Sequence, residues 1–189
     1  INENISLKKK LLSLNDEIAD AIKIIYNTLK KGNKVLICGN GGSAADAQHF
    51  AAELMIRFEK NRSSIASIAL NSDSCSITAC ANDFGYENLF SRQLEGLGKK
   101  DDLLVVLSTS GNSSNIKNVL EVAKKMDIKT ISLLGKGGGL VKDFADYTLI
   151  VKSDSTARIQ EIHALLGHTI CEIVEEELGN NKSLSLIHI

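Results

Sequence analysis

Two apolar runs and the loops after them decide the fold: Lys34-Val-Leu-Ile-Cys38 with Gly39-Asn-Gly-Gly-Ser43, and Leu103-Leu-Val-Val-Leu107 with Ser108-Thr-Ser-Gly-Asn-Ser113. Apolarity in both runs is continuous rather than alternating, which is typical of parallel strands covered by helices on both faces. Three more β-rich runs lie at 64–70, 130–134 and 148–151, with helical patterns between them. The alternation predicts an α/β fold with a doubly wound, five-stranded parallel sheet flanked by helices.

The chain has the length of one domain, so a single domain over its 189 residues is expected. Leu, Ile and Ala recur at helical spacing over 3–31, which predicts a helical extension before the first strand. A second long helix is predicted over 156–178. We expect these two helices to pack together or against a partner subunit.

Charge and hydropathy argue against two kinds of partner. The net charge of −1 creates no overall field that would attract nucleic acid or an anionic membrane. The most continuous apolar run, Leu103–Leu107, is far shorter than the ~20 residues of a spanning helix, and Ile1–Lys10 has no signal-peptide pattern. A cytoplasmic protein is therefore expected. Four isolated cysteines are interpreted as reduced packing residues: Cys38, Cys75, Cys80 and Cys171.

The loops after the first and third strands are suited to an anion. In parallel sheets ligands bind at the carboxyl ends of the strands, and each of these loops leads directly into a helix. Exposed backbone N–H groups and the hydroxyls of 108–113 can donate to several phosphate oxygens at once. Either loop alone is also explained as a turn with a helix cap, but the two together favour a phosphorylated ligand.

The first loop also matches the permissive dinucleotide fingerprint G-x-G-x-x-A, through Gly39, Gly41 and Ala44. That fingerprint requires an acidic residue ~20 positions further on, at the end of the second strand. Here the first acid beyond the second strand is Asp73, much later in the chain. A dinucleotide site is therefore the weaker alternative.

A polar stripe marks the helix predicted from Ser43 to about Lys60. Asp46, His49, Glu53 and Arg57 follow spacings of three, four and four, so they share one face of that helix. The stripe is either a solvated edge with ordinary side-chain pairs or a polar line inside a cleft. In the second case His49 and Glu53, on adjacent turns, can share one metal ion or one substrate.

The long helix near the C-terminus carries a second polar set, with Gln160 and His168 two turns apart and His163 between them. A lone histidine on an apolar helix is more often a hydrogen-bonded core residue than a ligand. Periodicity does not decide whether this helix meets the first one.

Five segments in the same order resemble the sugar isomerase (SIS) domain family, and within it the sedoheptulose 7-phosphate isomerases. They are Gly39-Asn-Gly-Gly-Ser43, Ala47-Gln-His-Phe-Ala-Ala-Glu53, Ala81-Asn-Asp-Phe-Gly85, Ser108-Thr-Ser-Gly-Asn-Ser113, and Arg158-Ile-Gln-Glu-Ile-His163 with His168. The resemblance extends from the N-terminal helix to about Leu178.

The resemblance implies an assignment for each matched position. It implies Glu53 and His168 as the acid/base pair, and one Zn²⁺ per subunit held by His49, Glu53, Gln160 and His168. It implies a phosphate site at Ser108, Thr109, Ser110 and Ser113, and substrate contacts from Asn40, Gly41, Gly42, Glu53, Asn82, Asp83 and Gln160. Homotetramers with sites at the subunit interfaces are also implied.

The reaction implied by the resemblance is isomerisation of D-sedoheptulose 7-phosphate to D-glycero-D-manno-heptose 7-phosphate through an enediol, for bacterial surface polysaccharide. The family also includes isomerases of other sugar phosphates and a non-catalytic regulator that binds the replication initiator. That regulator lacks the acid and the imidazole at the positions of Glu53 and His168, and has Arg at the position of Ser110. Isomerases of this group often have an acid where this chain has Ala157. His188 lies near the end of the chain and is interpreted as a terminal residue rather than as a ligand.

Overall fold

A computed structural model describes residues 1–180 of the chain, so His188 lies outside the described residues. The strands are β1 (Val35–Gly39), β2 (Ser67–Ala69), β3 (Leu103–Ser108), β4 (Lys129–Gly135) and β5 (Tyr147–Val151). The helices are α1 (Asn2–Leu11), α2 (Asn15–Lys30), α3 (Gly42–Met55), α4 (Ser74–Asp83), α5 (Leu89–Leu97), α6 (Ser114–Lys125) and α7 (Thr156–Asn180). Short 3-10 turns occupy Leu12–Leu14, Tyr86–Asn88 and Lys136–Val141.

The strands form one parallel sheet in the order β2-β1-β3-β4-β5, which confirms the predicted fold class. The strand order reverses between β1 and β3, where Gly39 pairs with Leu107. Open α/β sheets bind ligands in the crevice at such a switch point. The two loops singled out in the sequence therefore leave neighbouring strands at the same edge of the sheet.

Helices cover both faces of the sheet, as the continuous apolar strands predict. Val35 and Ile37 of β1 pack with α2, α3 and α7, whereas Leu36 and Cys38 pack on the opposite face with α5 and α6. All four side chains are fully buried. Each buried aliphatic side chain stabilises the fold by about 1.5–3 kcal/mol relative to its exposed state. No helix of residues 1–180 is long and apolar enough to span a membrane.

The structure corrects four details of the sequence prediction. The helix expected over 3–31 is divided by the 3-10 turn at Leu12–Leu14. The helix expected to reach Lys60 ends at Met55, because the segment beyond it turns toward α7. The strand expected over 64–70 is only three residues long. Cys75 lies on the exposed side of α4 and is not a packing residue, whereas the other three cysteines are buried.

Candidate active site

The packing of α3 against α7 brings three predicted site residues together. His49 and Glu53 lie on consecutive turns of α3, and His49 Nε2 is 2.9 Å from Glu53 Oε1. His168 comes from α7, and its ring meets that of His49 edge-on, with the ring centroids 5.0 Å apart. One donor atom from each of the three residues lies within 4.8 Å of the others. The polar stripe of α3 therefore faces a cleft at α7.

Two imidazoles and one carboxylate form a donor set that suits zinc, which binds His nitrogen and Glu oxygen at about 2.0–2.2 Å. The described cluster fits such an ion in residue type and in the proximity of its donor atoms. Gln160, the fourth predicted ligand, lies on α7 with its amide against Gly42. A Cβ on Gly42 would overlap that amide, so any larger residue at this position would have to displace the end of the Gln160 side chain. Metal ligation by Gln160 stays a prediction.

Three further titratable groups line the cleft beside the cluster: Asp46, which is half-buried, and His163 and Cys171, which are buried. Burial raises the pKa of Asp46, partly opposed by His49, and one oxygen of Asp46 has no hydrogen-bond partner among residues 1–180. Burial also raises the pKa of the Cys171 thiol to about 12, with a smaller contribution from the Glu53 charge. Cys171 therefore lines the cleft as a protonated thiol, which is a poor nucleophile.

His163 is a core residue rather than a ligand of the cluster. It is 1% exposed, and its Nε2 lies 3.3 Å from the backbone oxygen of Leu134. Burial lowers its pKa to about 4, although the hydrogen bond to Leu134 opposes that shift. Its imidazole is therefore neutral near pH 7, which leaves His168 as the α7 histidine available for proton transfer in the cleft.

Asn40 is fixed by a network of amides at the mouth of the glycine-rich loop. Its side chain makes two reciprocal hydrogen bonds, both 2.9 Å, with Asn115, which is buried at the start of α6. The hydroxyl of Tyr86 donates to Asn40 Oδ1 at 3.0 Å. Both acceptor positions of that oxygen are then used, so a further ligand of the Asn40 side chain would have to accept from its second N–H. Asn115 and Tyr86 were missed in the sequence, where neither belongs to a periodic pattern.

The loop at 108–113 is shaped by its own hydroxyls. Ser108 Oγ accepts from the backbone N–H of Gly111 at 3.1 Å, and Ser110 Oγ accepts from that of Asn112 at 3.2 Å. Neither Thr109 nor Ser113 makes a side-chain hydrogen bond within residues 1–180, so both hydroxyls are free to donate to a ligand. The first N–H groups of α6 open beside them, as in many phosphate sites.

A glycine-rich 3-10 turn supports this loop from behind. Val141 N–H donates to the backbone oxygen of Gly111 at 3.1 Å, and Leu140 N–H donates to Asn112 Oδ1 at 3.0 Å. Gly111 has a φ of +64°, and a Cβ there would overlap the backbone oxygen of Gly138. A Cβ on Gly139 would likewise overlap the backbone oxygen of Ser110, so this close backbone contact explains both Gly111 and Gly139.

Three residues chosen from the sequence are not joined to the cluster within the described chain. Asn82 and Asp83 are exposed at the end of α4, with Asn82 Nδ2 donating to Asp83 Oδ1 at 2.7 Å. Arg57 lies beyond the end of α3, and its guanidinium donates to the backbone oxygen of Glu59. The stripe on α3 therefore ends at Glu53. Arg57 is not its fourth member, because the helix that would have placed it there is broken.

The fold and the site define an α/β protein of the class that binds small polar ligands at the carboxyl ends of a doubly wound sheet, here beside a His–Glu–His cluster. Within that class, the chain belongs to the SIS domain family, which it matches over residues 3–135.

Within the SIS domain family, the chain is similar to a group of isomerases over nearly its whole length. A phosphoheptose isomerase of Akkermansia muciniphila is 51% identical over 170 residues, which is 90% of each chain. One from Aliarcobacter butzleri is 49% identical over 175 residues, 93% of each chain. The solved structure of a phosphoheptose isomerase from Francisella tularensis has a TM-score of 0.89 at 39% identity, and the match covers 93% of this chain and 94% of that one. These matches confirm the predicted family, its fold and the prediction of an isomerase.

Proposed function

We propose that this protein converts D-sedoheptulose 7-phosphate into D-glycero-D-manno-heptose 7-phosphate. The observation that carries the proposal is the meeting of Glu53 from α3 with His168 from α7, beside His49. An aldose–ketose isomerisation through an enediol requires a base at carbon and an acid/base group at the oxygens, and a carboxylate and an imidazole in one cleft can supply these two functions. The phosphoheptose isomerases that are similar to this chain over nine-tenths of its length support the heptose as substrate.

The reaction moves one carbon-bound proton between neighbouring carbons. In our proposal Glu53 takes the proton from C1 of the ketose while His168 gives a proton to the oxygen on C2, which produces an enediol. His168 then takes the proton from the oxygen on C1, and Glu53 returns the carbon-bound proton to C2. C1 becomes the aldehyde carbon, both residues return to their starting states, and no atom is gained or lost.

The two oxygens of Glu53 have different surroundings. Oε1 faces His49 Nε2, whereas Oε2 has no hydrogen-bond partner among residues 1–180. A carboxylate oxygen that ligates a metal is a poorer base, so we assign the proton transfer at carbon to Oε2. Oε1 is then left for the metal.

We further propose one Zn²⁺ per subunit, which His49, Glu53, Gln160 and His168 would hold while His168 is neutral. The protonated His168 that begins the proton transfer cannot bind the ion at the same time, so His168 would leave it for that step. The described His–Glu–His cluster supports this assignment. Gln160 is a neutral, weak ligand, so a sugar oxygen can replace it. When bound, the ion supplies Lewis acidity that polarises the carbonyl group.

We assign the phosphate to the loop after β3 and the sugar hydroxyls to the loop after β1. The phosphate ligands are Ser108, Thr109, Ser110 and Ser113, and the sugar contacts are Asn40, Gly41, Gly42, Asn82 and Asp83. Free hydroxyls and the open N-terminus of α6 support the phosphate assignment. A neutral loop of this kind binds phosphate through directed donors rather than through net charge.

We propose a homotetramer with active sites at the subunit interfaces. The exposure of Asn82 and Asp83 away from the cluster supports this, because a neighbouring subunit then completes the site. Large apolar side chains are also exposed on the single chain, among them Ile56 at 67% and Phe84 at 52%.

The substrate's phosphate charge keeps it from crossing a bilayer unaided. We therefore place the reaction in the cytoplasm, where its product enters surface heptose such as that of lipopolysaccharide or capsule.

The test is conversion of sedoheptulose 7-phosphate by the purified protein with zinc, with the aldose product followed by NMR. The unmodified protein is expected to convert it. Reaction in ²H₂O is expected to place deuterium on C2 of the aldose in the fraction of turnovers in which the proton held by Glu53 exchanges with solvent before it returns to carbon. Glu53→Gln and His168→Gln are each expected to lower kcat by about 10²–10⁴-fold. Glu121→Gln is the matched control, because it removes an exposed carboxylate that pairs with Lys117 on α6, away from the cluster.

Two outcomes would contradict the proposal. A zinc-loaded, assembled protein that does not convert the sugar phosphate would exclude the isomerase, and binding to the replication initiator would then be tested. Retention of full activity by both cleft variants would exclude the assigned roles of Glu53 and His168.

A further inference from the structure

A buried ion pair joins the segment that leaves α3 to the helix that carries His168. Glu175 on α7 is 2% exposed, and its carboxylate accepts from the backbone N–H groups of Phe58, Glu59 and Lys60 at 3.0, 2.9 and 2.7 Å. Arg62 Nε donates to the same carboxylate at 2.9 Å, and its side chain is 10% exposed. Burial alone would raise the pKa of Glu175, but the three backbone donors and Arg62 outweigh it and lower that pKa.

The same arginine reaches the backbone of the proposed base. Arg62 Nη2 donates to the backbone oxygen of Glu53 at 2.8 Å. Glu53 lies in the last turn of α3, where carbonyl groups have no partner within the helix. Arg62 therefore caps α3 at the residue that carries the carboxylate of the cluster.

The same carboxylate also acts on the histidine side of the cluster. The Phe58 N–H is held by Glu175, and the Phe58 ring lies 5.7 Å from the ring of His168. Glu175 is seven residues, or two turns, beyond His168 on α7. The buried ion pair thus holds the backbone of Glu53 through Arg62, and holds Phe58, whose ring neighbours His168, through Glu175.

We propose that Glu175 and Arg62 are positioning residues that set the separation of Glu53 and His168 for metal binding and proton transfer. This inference rests on the proposed function. Neither residue belongs to the cluster, so they act through Glu53 and Phe58. Groups that orient metal ligands in this way typically change metal affinity or activity by about 10–100-fold when they are replaced.

Glu175→Gln tests the proposal, because it keeps the size of the side chain but removes its charge and turns an N–H toward the surrounding donors. Zinc affinity would be measured by competition with a chromophoric chelator, and kcat and KM on the folded oligomer. We expect roughly tenfold weaker zinc binding and roughly tenfold lower kcat, with KM changed by less than about twofold.

Glu176→Gln is the matched control. Glu176 is the next residue of α7 and pairs with Lys60 at 2.9 Å, but its side chain is 54% exposed and does not contact the cluster. Exposed pairs of this kind contribute little. Zinc affinity and kcat are expected to equal those of the unmodified protein.

Arg62→Lys is a second variant that keeps the charge beside Glu175. A single ammonium group lacks the fork with which Arg62 reaches Glu175 and the Glu53 carbonyl together, so zinc affinity and kcat are again expected to fall by roughly tenfold. This variant decides the question if Glu175→Gln does not fold.

A folded variant of either residue with unchanged zinc affinity and kcat, and only a lower Tm, would overturn the proposal. If the unmodified protein binds zinc without isomerising the sugar, the proposed function fails. The ratio of zinc affinities between variant and unmodified protein then decides the positioning role by itself.

Discussion

The two parts of the proposed site are the acid/base side, between α3 and α7, and the loop side, after β3, and different kinds of contact hold them. The acid/base side consists of side chains on two helices, and its members are fixed by side-chain contacts such as that of His49 with Glu53. The loop after β3 also has side-chain hydrogen bonds, but in addition its backbone is closely packed, with Gly111 against the backbone of Gly138 and Gly139. We therefore expect that replacing one side chain on the acid/base side changes metal binding without changing the stability of the fold. On the loop side, we expect that adding a single Cβ at Gly111 lowers that stability.

The sharpest separation of the two sides is expected from His49→Gln. A zinc site with three or four protein ligands gains about 10–16 kcal/mol, so loss of one ligand is expected to weaken zinc binding by on the order of 1,000-fold. The His49 side chain is 53% exposed, so the free energy of unfolding without metal is expected to change by less than about 0.5 kcal/mol. Chelator competition and urea unfolding measure the two quantities. A similar loss in both would contradict the independence of the two sides.

Gly111→Ala tests how closely the loop side is packed. The added Cβ would overlap the Gly138 backbone in a left-handed conformation, so we expect the free energy of unfolding to fall by about 3 kcal/mol. Gly96→Ala in α5 is the control, because nothing lies within 4 Å of its Cβ and alanine favours a helix by about 0.5–1 kcal/mol. Urea unfolding measures both. Equal stability of the two variants would mean that the loop accommodates a side chain.

His163 lies on the same helix as His168 but belongs to the core, and its burial predicts a dependence of stability on pH. The pKa of His163 is about 4 in the fold and about 6.5 in the unfolded chain, so the unfolded chain binds the proton first as pH falls. Its contribution to stability is complete above pH ~6.5 and is lost progressively toward pH 4. Between pH 7 and 4.5 we expect a loss of about 2 kcal/mol, which His163→Leu should remove. Urea unfolding at both pH values tests this, and an unchanged pH dependence in the variant would be evidence against it.

Tyr86→Phe is expected to have the smallest effect and to touch neither side directly. It removes the hydroxyl that donates to Asn40 Oδ1 and leaves the ring. A neutral hydrogen bond contributes about 1 kcal/mol, so KM for the sugar phosphate is expected to rise about threefold to fivefold with kcat unchanged. Steady-state kinetics measure both constants. A fall in kcat alone would place Tyr86 on the acid/base side instead.

Local patterns in the sequence were sufficient for much of this arrangement. Continuous apolar runs predicted the parallel sheet, and that sheet places the loops at 39–43 and 108–113 at one edge. Helical spacing alone predicted that His49 and Glu53 share a face. Both inferences depend only on neighbours within a few residues, which is why they succeed.

The remaining features depend on contacts between distant segments. The end of α3 at Met55 accompanies hydrogen bonds between Phe58–Lys60 and Glu175, more than a hundred residues later, so the helical pattern was extended too far. The need for glycine at 111 arises from the backbone at 138, and no local signal links those positions. The resemblance to a family, rather than spacing, paired His168 with Glu53.

The strand order also constrains how the protein folds as it is made. β1 lies inside the sheet between β2 and β3, and its pairing with β3 joins segments 68 residues apart, as Lys34 and Asp102 are. On a ribosome the centre of the sheet therefore cannot close until Ser108 has left the exit tunnel. Until then α2, β1 and α3 expose apolar faces that only later strands and α7 cover. Apolar surface that is exposed in this way favours aggregation, so the order of synthesis makes the first half of the chain the part most exposed to that risk.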